Sequence, residues 1–341
     1  MVQPKFRKAV FIPGEGIGPE VAWAARRCIE AAGARVAWRD APAGRSELLA
    51  RGRAVSTPTL AAMATAGVVL KGPLESDRPD GSRSVDDALF AALGIFSSTR
   101  WCAGFEGVPG AAAGMDLRIS TWLEEHPRGG DAGQEPGPFM RRAFAAASRD
   151  GRRLVTIVHA GRARDSGGWK RAADEAARMF PGLEIEEQTA EHTALQLTRS
   201  PGRFDVVLAR GEAGRLLAGA AAGMVGGLGM VPEAFHGTRG AVYTSVHGTA
   251  PRHEGTERAN PVAMILAGVL LLEDWGEASR AGRVVAAVRE ALFGGVLTAD
   301  LLPPGDPRKP SGTSGLVEAV ITRVRGGGSL SRPAKRPILR G

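Results

Sequence analysis

The chain has 341 residues, 43% of them hydrophobic and 23% charged, a composition typical of a soluble globular protein with one large or two smaller α/β units. Its formal net charge is +8, but the basic residues are scattered through helix-like segments without an aromatic-basic platform, so nucleic-acid binding is not expected. The only cysteines, Cys28 and Cys102, show neither a disulfide framework nor metal-site spacing, which indicates a reducing, cytoplasmic setting. No apolar run is long enough for a confident membrane span.

The first hundred residues alternate between strand and helix patterns. A buried strand, KAVFIP, enters the glycine-rich turn GEGIG at 14–18, and a helix with apolar residues at helical spacing then runs to a stop at Gly33. Further strands are predicted for ARVAWRDAP and VVLKGPL. The stretch SVDDALFAALGIF predicts a helix, because Asp86 and Asp87 suit the positive end of a helix dipole.

A second alternating region follows a loop rich in helix breakers, RGGDAGQEPGP at 128–138. The predicted elements are strand RLVTIVHA, helix KRAADEAARMF, strand LEIEEQTA, helix HTALQLTRS, strand RFDVVLAR, helix GRVVAAVREALFGG and helix LVEAVITRV. A loop at 298–315 separates the last two helices, and residues 326–341 are predicted to form a mobile basic tail. The alternation predicts an α/β fold with two lobes.

Four stretches together resemble one enzyme family. They are IPGEGIGPEV at 12–21, LKGPLESDRPDGSRSVDDALFAALGIFSSTR at 70–100, FDVVLARGEAGRLLAG at 204–219 and VHGTAPRHEGTERANPVAMILAGVLLLE at 246–273. Any one glycine-rich match would be weak evidence, but their content and order resemble the isocitrate and 3-isopropylmalate dehydrogenases from about residue 8 to 325.

The resemblance implies an α/β fold with a deep interdomain cleft. The large, nucleotide-binding domain would be discontinuous, roughly 1–96 plus 226–341, and residues 97–225 would form the smaller, dimerisation-side domain. Members of the family work as dimers, oxidise a 2-hydroxy diacid with NAD or NADP, and decarboxylate the product with help from magnesium or manganese. The loop at 128–138 is shorter than the family's dimer arm, which puts dimerisation by that arm in doubt.

The nucleotide-binding residues implied by the resemblance are largely retained. They are Lys71, His247, Gly248, Thr249, Ala250, Arg252, His253 and Asn260. His247 is expected to stack on or hydrogen-bond the adenosine. Arg252 and His253 stand where NAD-dependent members have an acid that binds the ribose hydroxyls, and a guanidinium suits a 2′-phosphate, so NADP is favoured over NAD. The alternative is an exposed loop retained only for folding.

The substrate-binding residues implied by the resemblance are mostly replaced. Ser84 and Arg100 match substrate-side positions, but the first substrate arginine is Phe90 and the third is Thr121. The family's catalytic lysine falls at Ala160, with Arg162 close by. The proton-donating tyrosine would lie near Arg128, yet the only tyrosine of the chain is Tyr243.

The metal-binding carboxylates implied by the resemblance are also replaced. Two of them, one helical turn apart, fall at Arg215 and Gly219, while Glu191 stands at the position that a partner chain contributes. A hard divalent cation needs several oxygen ligands, so no divalent metal is expected. Arg215 is instead expected to pair with Glu191 across the interface between two protomers.

Two hypotheses of different class follow. The first is a pseudoenzyme or regulatory-type subunit that binds NAD(P) and forms a homodimer or a heteromer with a family homologue. The second is a repurposed NAD(P)-dependent oxidoreductase in which Arg100, Arg162 and Arg215 clamp an anionic carboxylate or phosphate substrate without metal. Its candidate proton carriers are His159, Glu191 and His192, although a histidine at a strand end is more often structural.

Overall fold

The computed structural model describes residues 6–75, 84–123, 135–159 and 168–326. Its strands are β1 (Arg7–Ile12), β2 (Val36–Asp40), β3 (Val68–Lys71), β4 (Ile95–Ala103), β5 (Asp116–Trp122), β6 (Leu154–His159), β7 (Glu184–Thr189), β8 (Val206–Arg210), β9 (Pro232–Gly237) and β10 (Ala241–Ser245). Its helices are α1 (Gly18–Ala31), α2 (Arg45–Arg51), α3 (Thr57–Ala66), α4 (Val85–Leu93), α5 (Pro136–Arg149), α6 (Trp169–Met179), α7 (Ala190–Arg199), α8 (Gly211–Met224), α9 (Val262–Asp274), α10 (Ala278–Phe293) and α11 (Thr313–Arg325). The predicted α/β fold is confirmed.

All ten described strands form one mixed sheet in the order β2-β1-β3-β10-β9-β4-β5-β8-β6-β7. Strands β9 and β4 pair antiparallel in the middle, with Arg100 opposite Glu233. The five strands on the β2 side come from residues before 72 and after 231, and the five on the β7 side come from residues 95–210. The predicted division into 1–96 plus 226–341 and 97–225 stays a prediction, and its first boundary falls within β4.

Local sequence sets the ends of the helix that follows β3. Ser84 caps α4 by accepting a hydrogen bond from the Asp87 amide at 3.1 Å, and Asp87 accepts one from the Ser84 amide at 3.3 Å. The helix ends at Leu93 because Gly94 adopts φ +63°, so the predicted helical stretch ends before β4 begins at Ile95.

The helix that follows the predicted breaker-rich loop begins inside it. Helix α5 starts at Pro136, where a proline is tolerated because the amide it lacks has no partner in a first turn. Most of the predicted loop, residues 128–134, lies outside the described residues, as do residues 327–341 of the predicted tail.

The apolar core is centred on α9. Every residue from Val262 to Leu272 is buried, and the helix packs against α1, α10, β9 and β10. A helix that is apolar on all faces is stable only when neighbours cover it completely. Within the described ranges, no helix is both long and apolar enough to cross a lipid bilayer.

Candidate functional site

Three of the four quoted stretches meet at one junction of loops. The amide of Glu15 donates to the Pro73 carbonyl at 2.8 Å, and the amide of Ile17 donates to the Thr249 carbonyl at 2.9 Å. Glycine is required where these loops touch. At Gly16, which has φ +57°, a Cβ atom would lie 2.1 Å from the Thr249 carbonyl oxygen. The glycine-rich turn therefore holds the loop that begins at His247.

His247 presents an unpaired nitrogen at this junction. Its Nδ1 lies 3.0 Å from the Gly248 carbonyl oxygen, so we assign the tautomer in which Nδ1–H donates and Nε2 is an acceptor. Nε2 is buried and has no partner among the described residues. Burial lowers the pKa of His247, which favours the neutral ring. A buried acceptor without a donor suits a ligand amino group.

The remaining residues of this loop differ in exposure. Gly248 has open space where a Cβ would lie. Ala250 adopts φ +38°, a left-handed conformation that is strained for a residue with a side chain. Arg252 and His253 follow in an exposed 3-10 turn, where neither side chain makes an ion pair with a described residue.

Asn260 lies below this loop as a structural brace. Its Nδ2 donates to Asp300 Oδ2 at 3.0 Å, and its Oδ1 accepts the Val262 amide at 3.0 Å. Because both ends of the carboxamide bond to protein, Asn260 positions the chain between the loop and α9.

Lys71 and Ser84 lie together beside α4. Lys71 is buried, and its Nζ forms a salt bridge with Asp86 Oδ1 at 2.9 Å, which ties β3 to the first turn of the helix. The Ser84 oxygen serves as the helix cap, but its hydroxyl proton can still be donated to an anion.

Arg100 is already paired. Its Nε and Nη2 donate to the two carboxylate oxygens of Glu233, at 2.9 and 3.4 Å. Glu233 is buried, so the two charges satisfy each other in a bidentate pair. Glu233 was not predicted from the sequence, and the strand pattern around it gave no indication of its partner.

Two other implied substrate positions are packed against protein. Phe90 lies 4.6 Å from Phe235, measured between ring centroids. Thr121 is buried, and a Cβ atom on Gly214 would lie 2.3 Å from its Oγ1. The volumes that arginines would need are thus filled by an aromatic pair and by close packing of α8 on β5.

The helix face at Arg215 and Gly219 carries one carboxylate, that of Glu212, which lies about one turn before Arg215. Arg215 is exposed and makes no ion pair with a described residue, and Gly219 has open space one turn further along α8. Within the described part of the chain, no three His, Cys, Asp or Glu side chains converge as a metal-binding group.

The candidate proton carriers differ in their contacts and exposure. His159, at the end of β6, places Nε2 3.0 Å from Glu187 Oε2. The hydrogen bond from Lys170 lowers the pKa of Glu187. Glu191 and His192 are exposed in the first turn of α7. Ala160 and Arg162 lie outside the described residues.

The comparison with known proteins gives these positions their context. A family model described as isocitrate/isopropylmalate dehydrogenase matches residues 8–115 and 134–320. The chain belongs to the isocitrate/isopropylmalate dehydrogenase family. The resemblance inferred from the four stretches is confirmed.

Relatives in the isocitrate/isopropylmalate dehydrogenase family include proteins named as dehydrogenases or their subunits and one named as a regulatory subunit. A probable alpha subunit of mitochondrial NAD isocitrate dehydrogenase from Caenorhabditis elegans is 31% identical, over 85% of this chain and 86% of the relative. A mitochondrial regulatory subunit of NAD isocitrate dehydrogenase from Dictyostelium discoideum is 27% identical, over 87% and 88%. The crystal structure of isocitrate dehydrogenase from Methylococcus capsulatus superposes with TM-score 0.84 at 32% identity, covering 94% of this chain and 100% of that one.

The residues of this chain fit the two groups that the isocitrate/isopropylmalate dehydrogenase family implies to different degrees. The nucleotide fits, because the junction offers an unpaired buried acceptor on His247 and exposed polar groups after Ala250. The α8 face does not match the divalent cation, because an arginine and a glycine occupy the two positions that the resemblance assigns to its oxygen ligands.

Proposed function

We propose that this chain is a nucleotide-binding, regulatory-type member of the family that does not catalyse metal-dependent oxidative decarboxylation. The α8 face carries this proposal. Arg215 places a fixed positive charge where a cation would have to bind, and Gly219 contributes no side chain. A divalent cation is repelled by a guanidinium and needs several oxygen ligands. Glu191, the one carboxylate that remains at the three implied metal positions, is therefore not enough to bind it.

The substrate side supports the same proposal. The reaction of the family needs cations that orient a diacid, but Arg100 is neutralised by Glu233, and Phe90 and Thr121 carry no charge. An isocitrate or isopropylmalate carboxylate would have to compete with the buried Glu233 for the half-buried Arg100. That competition makes productive binding of these diacids unfavourable.

The nucleotide side is proposed to retain its function. His247 would accept a hydrogen bond from the adenine amino group, Ser84 and Lys71 would lie towards the nicotinamide end, and Arg252 would pair with a 2′-phosphate, which favours NADP over NAD. When bound, NAD(P) supplies hydride transfer chemistry. In this proposal the nucleotide acts as a ligand that is sensed.

A family homologue or a second copy is proposed as the partner. Helices α7 and α8 pack on each other and expose Leu195 and Leu216, whose exposed fractions are 51% and 68%. Large exposed apolar side chains on neighbouring helices favour association. The Dictyostelium relative, named a regulatory subunit of an NAD isocitrate dehydrogenase, is consistent with a heteromer.

The experiment is a titration of NADPH and NADH into the purified protein, with and without Mg²⁺, followed by turnover assays with isocitrate and 3-isopropylmalate. Nucleotide binding that is independent of Mg²⁺, without turnover, supports the proposal. Mg²⁺-dependent turnover of either diacid would overturn it, and absence of nucleotide binding would overturn its nucleotide part.

The second candidate function is a metal-independent oxidoreductase with a different anionic substrate. The exposed guanidinium of Arg215 and the contact between His159 and Glu187 favour it, because they offer an anion contact and a proton carrier. NAD(P)H consumption with a 2-hydroxy or 2-keto acid in the presence of EDTA would identify this function.

Restoring two carboxylates on α8 should restore cation binding. The double variant Arg215→Asp, Gly219→Asp places two acids one turn apart on an exposed face. We expect a saturable rise in melting temperature with Mn²⁺ in the double variant and none in the wild type. Arg199→Asp with Gly202→Asp, at exposed positions at the end of α7 and shortly after it, is the control for charge alone. Equal responses of both double variants would contradict the assignment of the α8 face.

Arg252 should set the preference for NADP. Arg252→Gln removes one charge-assisted contact, so we expect NADP⁺ affinity to fall about tenfold while NAD⁺ affinity stays within about twofold. The matched control is Arg258→Gln, which removes the same charge from the same exposed loop. Calorimetric titration measures both nucleotides. Equal losses of NADP⁺ affinity in the two variants would show that general electrostatic attraction, and not a specific contact of Arg252, favours NADP⁺.

His247 should make nucleotide binding fall in acid. Because burial lowers its pKa below the ordinary value of about 6.5, the ring stays neutral and Nε2 stays an acceptor down to that pH. We expect NAD⁺ affinity to be constant from about pH 8 to pH 6.5 and to fall at lower pH, as protonation removes the acceptor. NAD⁺ avoids the titration of a 2′-phosphate. His247→Phe should bind NAD⁺ more weakly and should show no loss of affinity in acid. If this variant lost affinity in acid as the wild type does, the pH dependence would belong to another group.

A further inference from the structure

A cavity lies on the face of the sheet opposite Arg100. Along β4, β5 and β9 successive side chains alternate between faces, so Arg100, Thr121 and Glu233 point to one side and Thr99, Ser120 and Ala234 to the other. On this second side, α5 covers the sheet and leaves a partly open cavity of about 60 Å³. It is separate from the nucleotide and metal positions already described.

The wall of the cavity combines apolar and charged residues. Its apolar residues include Leu270 and three alanines of α5: Ala143, Ala146 and Ala147. Its charged residues are Arg118, Arg142, Arg149, Arg152, Asp150, Glu273 and Asp274. This combination suits a ligand with a short apolar end and a charged end.

Arg118 has an unused donor at this cavity. Its Nη2 donates to Glu273 Oε2 at 2.9 Å, while its Nε is buried without a partner among the described residues. Arg100 shows what the same edge of a guanidinium does elsewhere in this chain, since its Nε and Nη2 together hold both oxygens of Glu233. Of the two donors on this edge of Arg118, Nη2 is therefore paired and Nε is not, and an unpaired buried N–H is costly.

The acids at the cavity oppose an anion only weakly. Asp274 is engaged by Arg142, Arg149, His236 and Tyr243. Burial raises the pKa of Glu273, and its Oε2 already accepts a hydrogen bond from Arg118. His236 also has an unpartnered atom here, Nδ1, but this is an acceptor in the tautomer that donates Nε2–H to Asp274. An anion in this cavity would consequently bind at Arg118.

We propose that this cavity is a binding site for a short-chain monocarboxylate of two or three carbons, held by Arg118 Nε with its methyl end against the alanines of α5. The volume of about 60 Å³ equals roughly two water molecules in the liquid, which is the size of acetate. An outer groove, lined by Phe96, Ala145, Gly237 and Thr238, shares Arg142, Ala146 and Arg149 with the cavity and provides the entrance.

Sodium acetate is the probe, titrated at constant ionic strength with sodium gluconate, whose anion is too large for the cavity. With ¹⁵N-labelled arginine, we expect a saturable shift of the Arg118 Nε–H resonance, which is identified by its loss in Arg118→Met. The melting temperature should rise with acetate concentration, with the same midpoint as the resonance shift. In Arg118→Met, the acetate affinity derived from the melting temperatures should fall at least about tenfold, because one charge-assisted hydrogen bond is lost.

The matched control is Arg203→Met. Arg118 pairs with Glu273 and its guanidinium carbon lies 4.3 Å from the ring centroid of Trp101. Arg203 likewise pairs with a glutamate, Glu186, at 2.7 Å and lies over the ring of Phe204, but it does not line the cavity. Its substitution should leave acetate affinity within about twofold of the wild type.

Ala146→Leu keeps Arg118 and fills the cavity, so it should abolish the shift even if Arg118→Met is unstable. No saturable shift in the wild type, or an unchanged affinity in either cavity variant, would overturn the proposal. Tighter binding of orthophosphate than of acetate would also overturn it, because it would mean that charge and not the apolar wall selects the ligand.

Discussion

Replacing Asp274 with alanine should lower the free energy of unfolding by about 3–5 kcal/mol, the usual cost of leaving buried partners of a charge unpaired. Asp274 Oδ1 accepts from Arg149 Nη1 at 3.0 Å, and Oδ2 accepts from His236 Nε2 and Tyr243 Oη, each at 2.7 Å. Burial alone would raise the pKa of Asp274, but these hydrogen bonds and the neighbouring Arg142 hold it well below its usual range. The carboxylate is charged at neutral pH.

The position of Asp274 adds to this expectation. It is the last residue of α9, where the helix dipole disfavours an acid, so the surrounding donors must outweigh both burial and the dipole. Without the carboxylate, Tyr243 and His236 stay buried with unpaired N–H and O–H groups, and two arginines of α5 lose their link to α9.

Urea unfolding followed by circular dichroism measures the effect. Asp40→Ala is the control, because Asp40 also pairs with an arginine, Arg26, at 3.0 Å but its side chain is 64% exposed, and it should cost at most about 1 kcal/mol. Asp274→Asn, which keeps the shape and one acceptor, should fall between the two. Similar losses for Asp274→Ala and Asp40→Ala would show that the buried network contributes little.

Much of the fold was predictable because its elements have local causes. The strand into the glycine-rich turn, α1 with its stop at Gly33, and the alternation from β6 to β8 all follow from residue periodicity and breakers. Helices α2 and α3 were not predicted, since α2 is short and α3 is apolar without a clear polar face. The end of α4 at Leu93 depends on the left-handed conformation of Gly94, which a glycine permits but does not require.

The site was predictable only where a motif carries it. The glycines of the first loop indicate close backbone approach, and the structure places Gly16 against the Thr249 carbonyl of the HGTAP loop. The pairing of Arg100 with Glu233 could not be predicted, because the two residues are 133 positions apart and meet through the register of β4 on β9. The network of Asp274 has the same origin, with its partners on α5, β9 and β10. The role of Arg162 stays a prediction.

Gly16→Ala should destabilise the chain by about 2–5 kcal/mol, of which about 1–2 kcal/mol is the cost of a left-handed conformation for an L side chain and about 1–3 kcal/mol is the displacement of packed backbone. Gly16 has φ +57°, and a Cβ atom would lie 2.1 Å from the Thr249 carbonyl oxygen and 3.0 Å from its carbon. Neither atom is the end of a flexible side chain, so the backbone itself must move.

The matched control lies in the loop that Gly16 touches. A Cβ atom on Gly248 would have no neighbour within 4 Å, and Gly248 has no left-handed φ, so Gly248→Ala should change stability by no more than about 0.5 kcal/mol. Both variants add one methyl group to the same junction. They differ only in conformation and in space.

Nucleotide titration of the folded variants then separates stability from function. If the glycine-rich turn holds the HGTAP loop in place, Gly16→Ala should weaken NADP⁺ binding under conditions where it is still folded, because Thr249 is displaced beside His247 and Ala250. Loss of stability with unchanged NADP⁺ affinity would mean that the turn supports the fold without positioning the nucleotide loop. Equal stabilities of the two glycine variants would contradict the close approach itself.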